Sequence, residues 1–160
     1  MRAVVGLGSN LQQPERQLRQ ALDALRAIAE EGVVKASSLY RSPPMGPQDQ
    51  PDYINAVAVI ETVLEPLELL DQLQQIEQQQ GRERKRHWGE RTLDLDLLLY
   101  GDQSIDHPRL QVPHPGITER SFVLLPMQEV LGDMQEIPGQ GELGQWVERC
   151  NCDEIERVVE

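Results

Sequence analysis

The chain has only two cysteines, Cys150 and Cys152, set as Cys-Asn-Cys near its C-terminal end. Two sulfurs are too few for a zinc site, and their separation is too short for a useful bridge, so free thiols are expected. Aromatic rings are equally scarce: six in all, 4% of the residues. The core must therefore be aliphatic, and each ring beside a polar loop is a candidate for binding. Positive charge is in deficit, with 15 Lys and Arg against 27 Asp and Glu, a net charge of −12 and a pI near 4.7. A general nucleic-acid binder relies on basic patches that exchange with counterions, so no nucleic-acid partner is expected and any polyanion must be held locally. No apolar stretch approaches membrane-spanning length, and the opening Met1-Arg2-Ala3-Val4-Val5-Gly6 lacks a signal-peptide core. The expected location is cytoplasmic, without a membrane partner. Internal repeats and low-complexity tails are absent as well.

At 160 residues, 39% of them hydrophobic, the chain is expected to form one domain over 1–160 with a core that needs no staples. Residues 2–7 read as a β-branched strand closed by Gly6, Gly8, Ser9 and Asn10. Pro14 then opens a helix with Leu18, Ala21, Leu22, Leu25 and Ile28 at helical spacing, running to Gly32. A second strand is expected over 33–41 and a third over 53–63, joined by a turn-rich stretch with four prolines. Pro66 starts a second helix with Leu67, Leu70, Leu73 and Ile76 inward, ending at Gly81. The order β-α-β-β-α-β is that of a ferredoxin-like α+β fold, an antiparallel sheet with packed helices in αβα layers, over about 2–101. Beyond Gly101 proline spacing limits element length, and short covering helices are expected at 122–131 and 142–149, a helical C-terminal extension.

Asp94 and Asp96 are the most informative feature of the chain. They sit one residue apart in Leu93-Asp94-Leu95-Asp96-Leu97-Leu98-Leu99. In a strand both carboxylates share one face, about 7 Å apart, while Leu93, Leu95 and Leu97 share the other. Like charges beside so apolar a run are unfavourable unless a cation lies between them, and hard oxygen ligands select Mg2+. A solvated edge strand is the bland alternative. The preceding segment shifts the weight: residues 81–91 place Arg82, Arg84, Lys85, Arg86 and Arg91 in a glycine-bounded loop, a third of all positive residues immediately before the acidic pair, although a basic run alone reads as a solvated loop. Arginine forks and a metal bridging to aspartates are what a polyphosphate requires.

Other features are weaker. Gln74 and Glu77, three apart on the second helix, read by themselves as a solvated face. Gly6-Leu7-Gly8-Ser9-Asn10 lacks a full phosphate-loop pattern, and a tight turn into a helix suffices to explain it. Tyr53 and Asn55 alternate onto one strand face, a ring and an amide suited to a planar heterocycle. Phe122, the single phenylalanine, follows Val112-Pro113-His114-Pro115 and Arg120, so ring, imidazole and guanidinium can face one site.

The run His87-Trp88-Gly89-Glu90-Arg91-Thr92-Leu93-Asp94-Leu95-Asp96 resembles the signature of the 6-hydroxymethyl-7,8-dihydropterin pyrophosphokinase family of the folate pathway. Gly8-Ser9-Asn10-Leu11, Ser38-Leu39-Tyr40-Arg41-Ser42-Pro43-Pro44, Gln48-Asp49-Gln50-Pro51-Asp52-Tyr53-Ile54-Asn55, Gln79-Gln80-Gly81-Arg82 and Val112-Pro113-His114 resemble it too, in order, over about 4–130. The resemblance implies pyrophosphate transfer from ATP to the pterin hydroxymethyl group, with AMP leaving. It implies two Mg2+ ions on Asp94 and Asp96, and phosphate contacts from Arg82, Arg91, His114 and Arg120. Arg84, Lys85 and Trp88 would ride on a closing loop, with Gln74 and Glu77 near the nucleotide. The pterin would lie between Tyr53 and Phe122, bonded by Asn55 and lined by Ser42, Pro43, Pro44 and Met45. The family often has Arg where His87 and Gly116 stand and Pro where Glu90 stands, which implies a less basic site. A monomer is expected. The residues leave two alternatives open, another Mg-dependent nucleotide transferase and a non-catalytic ferredoxin-like binding module.

Overall fold

A computed structural model describes residues 1–10, 13–43, 52–80, 93–150 and 155–158. Strand β1 (Arg2–Ser9) is buried along almost its whole length because helices cover both of its faces. Helix α1 (Pro14–Arg26) follows, with Pro14 in its first turn and Leu18, Ala21 and Leu25 inward. The helix stops short of the expected Gly32: Ala27 and Ile28 turn their N–H groups to Ala24 and Leu25, tightening the end, and Glu30–Gly32 forms a separate 3-10 turn. The expected second strand over 33–41 is two short strands, β2 (Val34–Ala36) and β3 (Tyr40–Ser42). Both pair with β4 (Tyr53–Glu61), which ends two residues earlier than its hydrophobicity suggests.

Helix α2 (Pro66–Gln79) opens on a capping box in which Glu65 and Glu68 satisfy each other's backbone amides. Its buried stripe is Leu69, Leu73, Ile76 and Glu77; Leu67 and Leu70 are only partly covered. Strand β5 (Asp94–Tyr100) pairs with β1, and the main sheet runs from β10 (Glu156–Arg157) through β3, β4 and β1 to β5, with β2 also on β4. Counting β2 and β3 as one interrupted strand, this is the antiparallel ferredoxin-like arrangement. The later segments hold more strand than expected: a hairpin of β6 (Ile105–His107) and β7 (Leu110–Val112), a pair β8 (Glu136–Ile137) and β9 (Gly141–Glu142), and β10 (Glu156–Arg157) on the edge beside β3.

One sheet face packs Ala3, Val5, Leu7, Ala56, Ala58 and Ile60 under α1 and α2. The other packs Val4, Val57 and Leu98 under α3 (Ser121–Leu131), whose Leu124, Met127 and Val130 point inward, and α4 (Leu143–Arg149) closes this layer through Leu143. Cys150, expected as a free thiol, is disulfide-bonded. A short separation limits what a bridge adds by loop closure; it does not forbid the bond. Among the described residues no helix is long and apolar enough to cross a membrane.

Candidate active site

Three strands meet where α3 stops covering the sheet. In the β1 to β5 register Gly8 faces Asp94 and Gly6 faces Asp96; on the other side of β1, Gly8 faces Asn55. The two glycines are thus inside a central strand, not in the turn expected from Gly6-Leu7-Gly8. Their missing side chains make the floor of a cleft of about 440 Å3. A Cβ on Gly8 would lie 3.0 Å from Asn55 Oδ1, and one on Gly6 would lie 3.2 Å from Leu98 Cδ1.

Asp94 and Asp96 are both half-buried on this face, with Leu95 and Leu97 buried on the other, as strand alternation requires. Ser42, Pro43, Tyr53, Asn55, Gln74, Glu77, His114, Arg120 and Phe122 line the same cleft. Asn55 Nδ2 donates to Ser42 Oγ at 2.7 Å, which fixes the amide's orientation, and both residues are buried. Phe122 stands in the first turn of α3 with the Arg120 guanidinium 5.9 Å from its ring centre. Gly116 contributes by its small size: a Cβ there would come within 2.7 Å of Arg120 Nε, so glycine leaves the guanidinium its place.

Glu77 departs from the solvated face read from its spacing. It is 5% exposed and accepts the Leu95 N–H at 2.7 Å. β5 is a terminal strand of the sheet, so its outward amide needs a partner from elsewhere, and a carboxylate reaching from α2 supplies it. Gln74 is exposed at the cleft's rim. His114 is held by its own N–H to Leu98 O at 3.1 Å, and its Nδ1 accepts the Gly116 N–H at 3.2 Å. A neutral ring bonded this way carries its proton on Nε2. Burial pushes its pKa below the ordinary histidine value; nearby Asp96 opposes this and Arg120 adds to it.

A second cleft of about 480 Å3 adjoins the first, sharing Leu70, Leu95, Asp96 and His114. Its far wall is the β6–β7 hairpin, with Asp106, His107, Arg109 and Gln111. Arg109 is bonded to Asp71 of α2, which ties the hairpin to the helix. The alternation of Leu110, Gln111 and Val112 after Pro108 is the signal that could have located it. Pro44, Met45, Arg82, Arg84, Lys85, Trp88 and Arg91 lie outside the described residues.

A family model described as 7,8-dihydro-6-hydroxymethylpterin-pyrophosphokinase (HPPK) matches residues 4–132, the span that includes every residue lining either cleft. The chain belongs to the HPPK family. Similar HPPK proteins, each named 2-amino-4-hydroxy-6-hydroxymethyldihydropteridine pyrophosphokinase, come from several bacteria. One from Haemophilus influenzae is 54% identical over 132 residues, 82% of each chain. One from Pseudomonas aeruginosa is 47% identical over 98% of this chain and 96% of its own. A Bacillus subtilis relative is 40% identical over 96% and 95%. Among solved structures, wild-type Plasmodium falciparum HPPK-DHPS with pteroate matches with a TM-score of 0.74 at 14% identity, over 92% of this chain. This HPPK chain spans 42% of that longer one, and at such identity the likeness speaks to fold alone.

Proposed function

We propose that the chain transfers pyrophosphate from ATP to the hydroxymethyl group of 6-hydroxymethyl-7,8-dihydropterin, releasing AMP, in folate biosynthesis. The observation that carries this is the cleft itself, where a carboxylate pair on a glycine-opened sheet face adjoins two aromatic rings and a fixed amide. Tyr53 and Phe122 stack the heterocycle, Asn55 reads its edge, and Ser42 with Pro43 lines the slot, joined by Pro44 and Met45. The adjoining cleft beyond Asp96 and His114 takes the nucleoside, and Gln74 stands at the rim of the first cleft.

Asp94 and Asp96 fit Mg2+ by their chemistry. Among the described residues there is no cluster of three or more His, Cys, Asp or Glu that could hold a metal. Two carboxylates on one strand face would hold Mg2+, which takes hard oxygen ligands. When bound there, Mg2+ neutralises charge on the triphosphate. The chain's own groups do the remainder. Arg120, with Arg82 and Arg91, spreads positive charge over the phosphates, and Arg84, Lys85 and Trp88 close over them. His114 donates from Nε2 as a neutral ring, and Asn55 and Tyr53 hold the acceptor alcohol in line. Alignment and charge stabilisation dominate such transfers, so no dedicated base is needed.

The test is to incubate the protein with ATP, Mg2+ and the reduced pterin alcohol and assay AMP. AMP should form only when all components are present. Asp94→Asn or Asp96→Asn should lower the rate by about a hundredfold or more while pterin binding is kept. ADP as product would identify a different nucleotide phosphotransferase, and near wild-type turnover by either variant would overturn the role given to the pair.

A further inference from the structure

Between the pairs Ala36 with Ala58 and Tyr40 with Asn55, three residues on one side, Ser37, Ser38 and Leu39, oppose two on the other, Ala56 and Val57. The extra residue is a β-bulge, and because side chains alternate, one extra residue exchanges the faces of everything beyond it. Upstream of the bulge Lys35 pairs with Val59, so odd-numbered residues share the face of Asn55 and Val57. Downstream the even-numbered Tyr40 and Ser42 take that face, paired with Asn55 and Tyr53. In an unbroken strand Leu39 and Arg41 would stand there, and Ser42 would point into the opposite layer. The bulge is therefore what delivers a hydroxyl, and not a guanidinium, to Asn55.

Two side chains hold it. Ser37 Oγ accepts the Val57 N–H at 2.9 Å and donates to Ser38 O at 2.7 Å. Glu129, two turns along α3 from Phe122, accepts the Ser38 N–H at 2.9 Å, the Ser38 hydroxyl at 3.1 Å and the Tyr40 hydroxyl at 2.6 Å. Arg157 of β10 stands 3.8 Å from the same carboxylate, and Val158 N–H bonds Leu39 O, so the C-terminal strand joins the knot. None of Ser37, Ser38, Tyr40 and Glu129 lines the cleft.

We propose that Glu129 is a positioning residue for the acceptor subsite: by anchoring the Ser37–Leu39 bulge to α3 it sets the phase of β3, so that Ser42 and not Arg41 faces Asn55. This rests on reading the cleft as the pterin site. The test compares wild type with Glu129→Ala, Glu129→Gln and Tyr40→Phe. Binding of the reduced pterin alcohol and of a non-hydrolysable ATP analogue is measured by calorimetry, and amide hydrogen exchange is followed over 37–42 and over β1. Glu129→Ala should weaken pterin binding about tenfold or more and leave the ATP analogue within about threefold. Exchange should quicken over 37–42 and not in β1. Glu129→Gln, which keeps an acceptor oxygen, should recover most of the affinity. If Glu129→Ala does not fold, Tyr40→Phe carries the test with an expected loss of about threefold in pterin affinity alone. Unchanged pterin binding, or parallel loss of both ligands with exchange quickened everywhere, overturns the proposal. Wild type that fails to bind the pterin alcohol removes the acceptor-site reading, and this inference with it.

Discussion

Gly8→Ala places a single methyl group where it meets Asn55 Oδ1 at 3.0 Å, Ile54 O and the Tyr53 ring at 4.0 Å. Asn55 cannot give way cheaply, because its amide is buried and bonded to Ser42 at 2.7 Å. Overpacking of this kind costs about 1–3 kcal/mol. A glycine replaced in an ordinary strand conformation recovers about 0.4–1 kcal/mol through the unfolded chain. The net loss of stability is then at most about 2.5 kcal/mol, a fall in melting temperature of no more than about 10 °C for a chain of this size. Function should suffer more. Turning the Asn55 amide off its present axis would forfeit the hydrogen bonds proposed for it to the heterocycle, about 1–3 kcal/mol, which is roughly five- to 150-fold in acceptor affinity. Calorimetric titration with the pterin alcohol, beside an ATP analogue as control and a thermal melt, reads all three quantities. A variant that melts a few degrees lower yet binds the pterin as wild type does would refute the idea that Gly8 is there to free Asn55.

Glu77→Ala should lower stability by about 1–3 kcal/mol, seen as a lower denaturation midpoint, because it strips the acceptor from the Leu95 amide at the sheet edge; an unchanged midpoint would show that the amide finds another partner. The alkaline limb of stability should depend on Tyr40. Burial first, then its hydrogen bond to Glu129 and that group's charge, raise the phenol from 10.0 to about 12, so stability is fully present below pH 10 and drains away as pH rises toward 12. Tyr40→Phe should flatten that limb in denaturant titrations, leaving the part due to Tyr100, which is also raised. For Glu129 burial pushes upward, but the Tyr40 and Ser38 hydrogen bonds and Arg157 outweigh it, and the carboxyl ends up lowered. Its contribution is therefore complete above the usual glutamate range and is lost as pH falls through the depressed value; Glu129→Gln should shallow the acid limb, and an identical acid limb in that variant would contradict this.

Asp94 and Asp96 were legible because strand alternation needs no tertiary knowledge: any strand there puts both on one face. The leucine stripes of α1 and α2, opened by Pro14 and Pro66, are legible for the same reason. Glu77 was not, since helical spacing tells which residues are neighbours but not that an edge strand lies above one of them with an unsatisfied amide. Gly6 and Gly8 read as a turn because glycine is a poor strand former; only the register shows that the vacancy above them is used. The bulge at Ser37–Leu39 escapes periodicity altogether, because a single inserted residue leaves both flanking segments looking like one strand. The β6–β7 hairpin hides behind Pro108, which local rules treat as a stop.

The Glu77 carboxylate on Leu95 has one more consequence. An amide that already has its partner cannot recruit the backbone of a passing polypeptide, so the rim carrying the acidic pair is closed to sheet extension at that point, while β10 occupies the opposite rim beside Tyr40 and Arg41. The carboxylate pair thus stands on a terminal strand of the sheet whose outward amide at Leu95 is already taken.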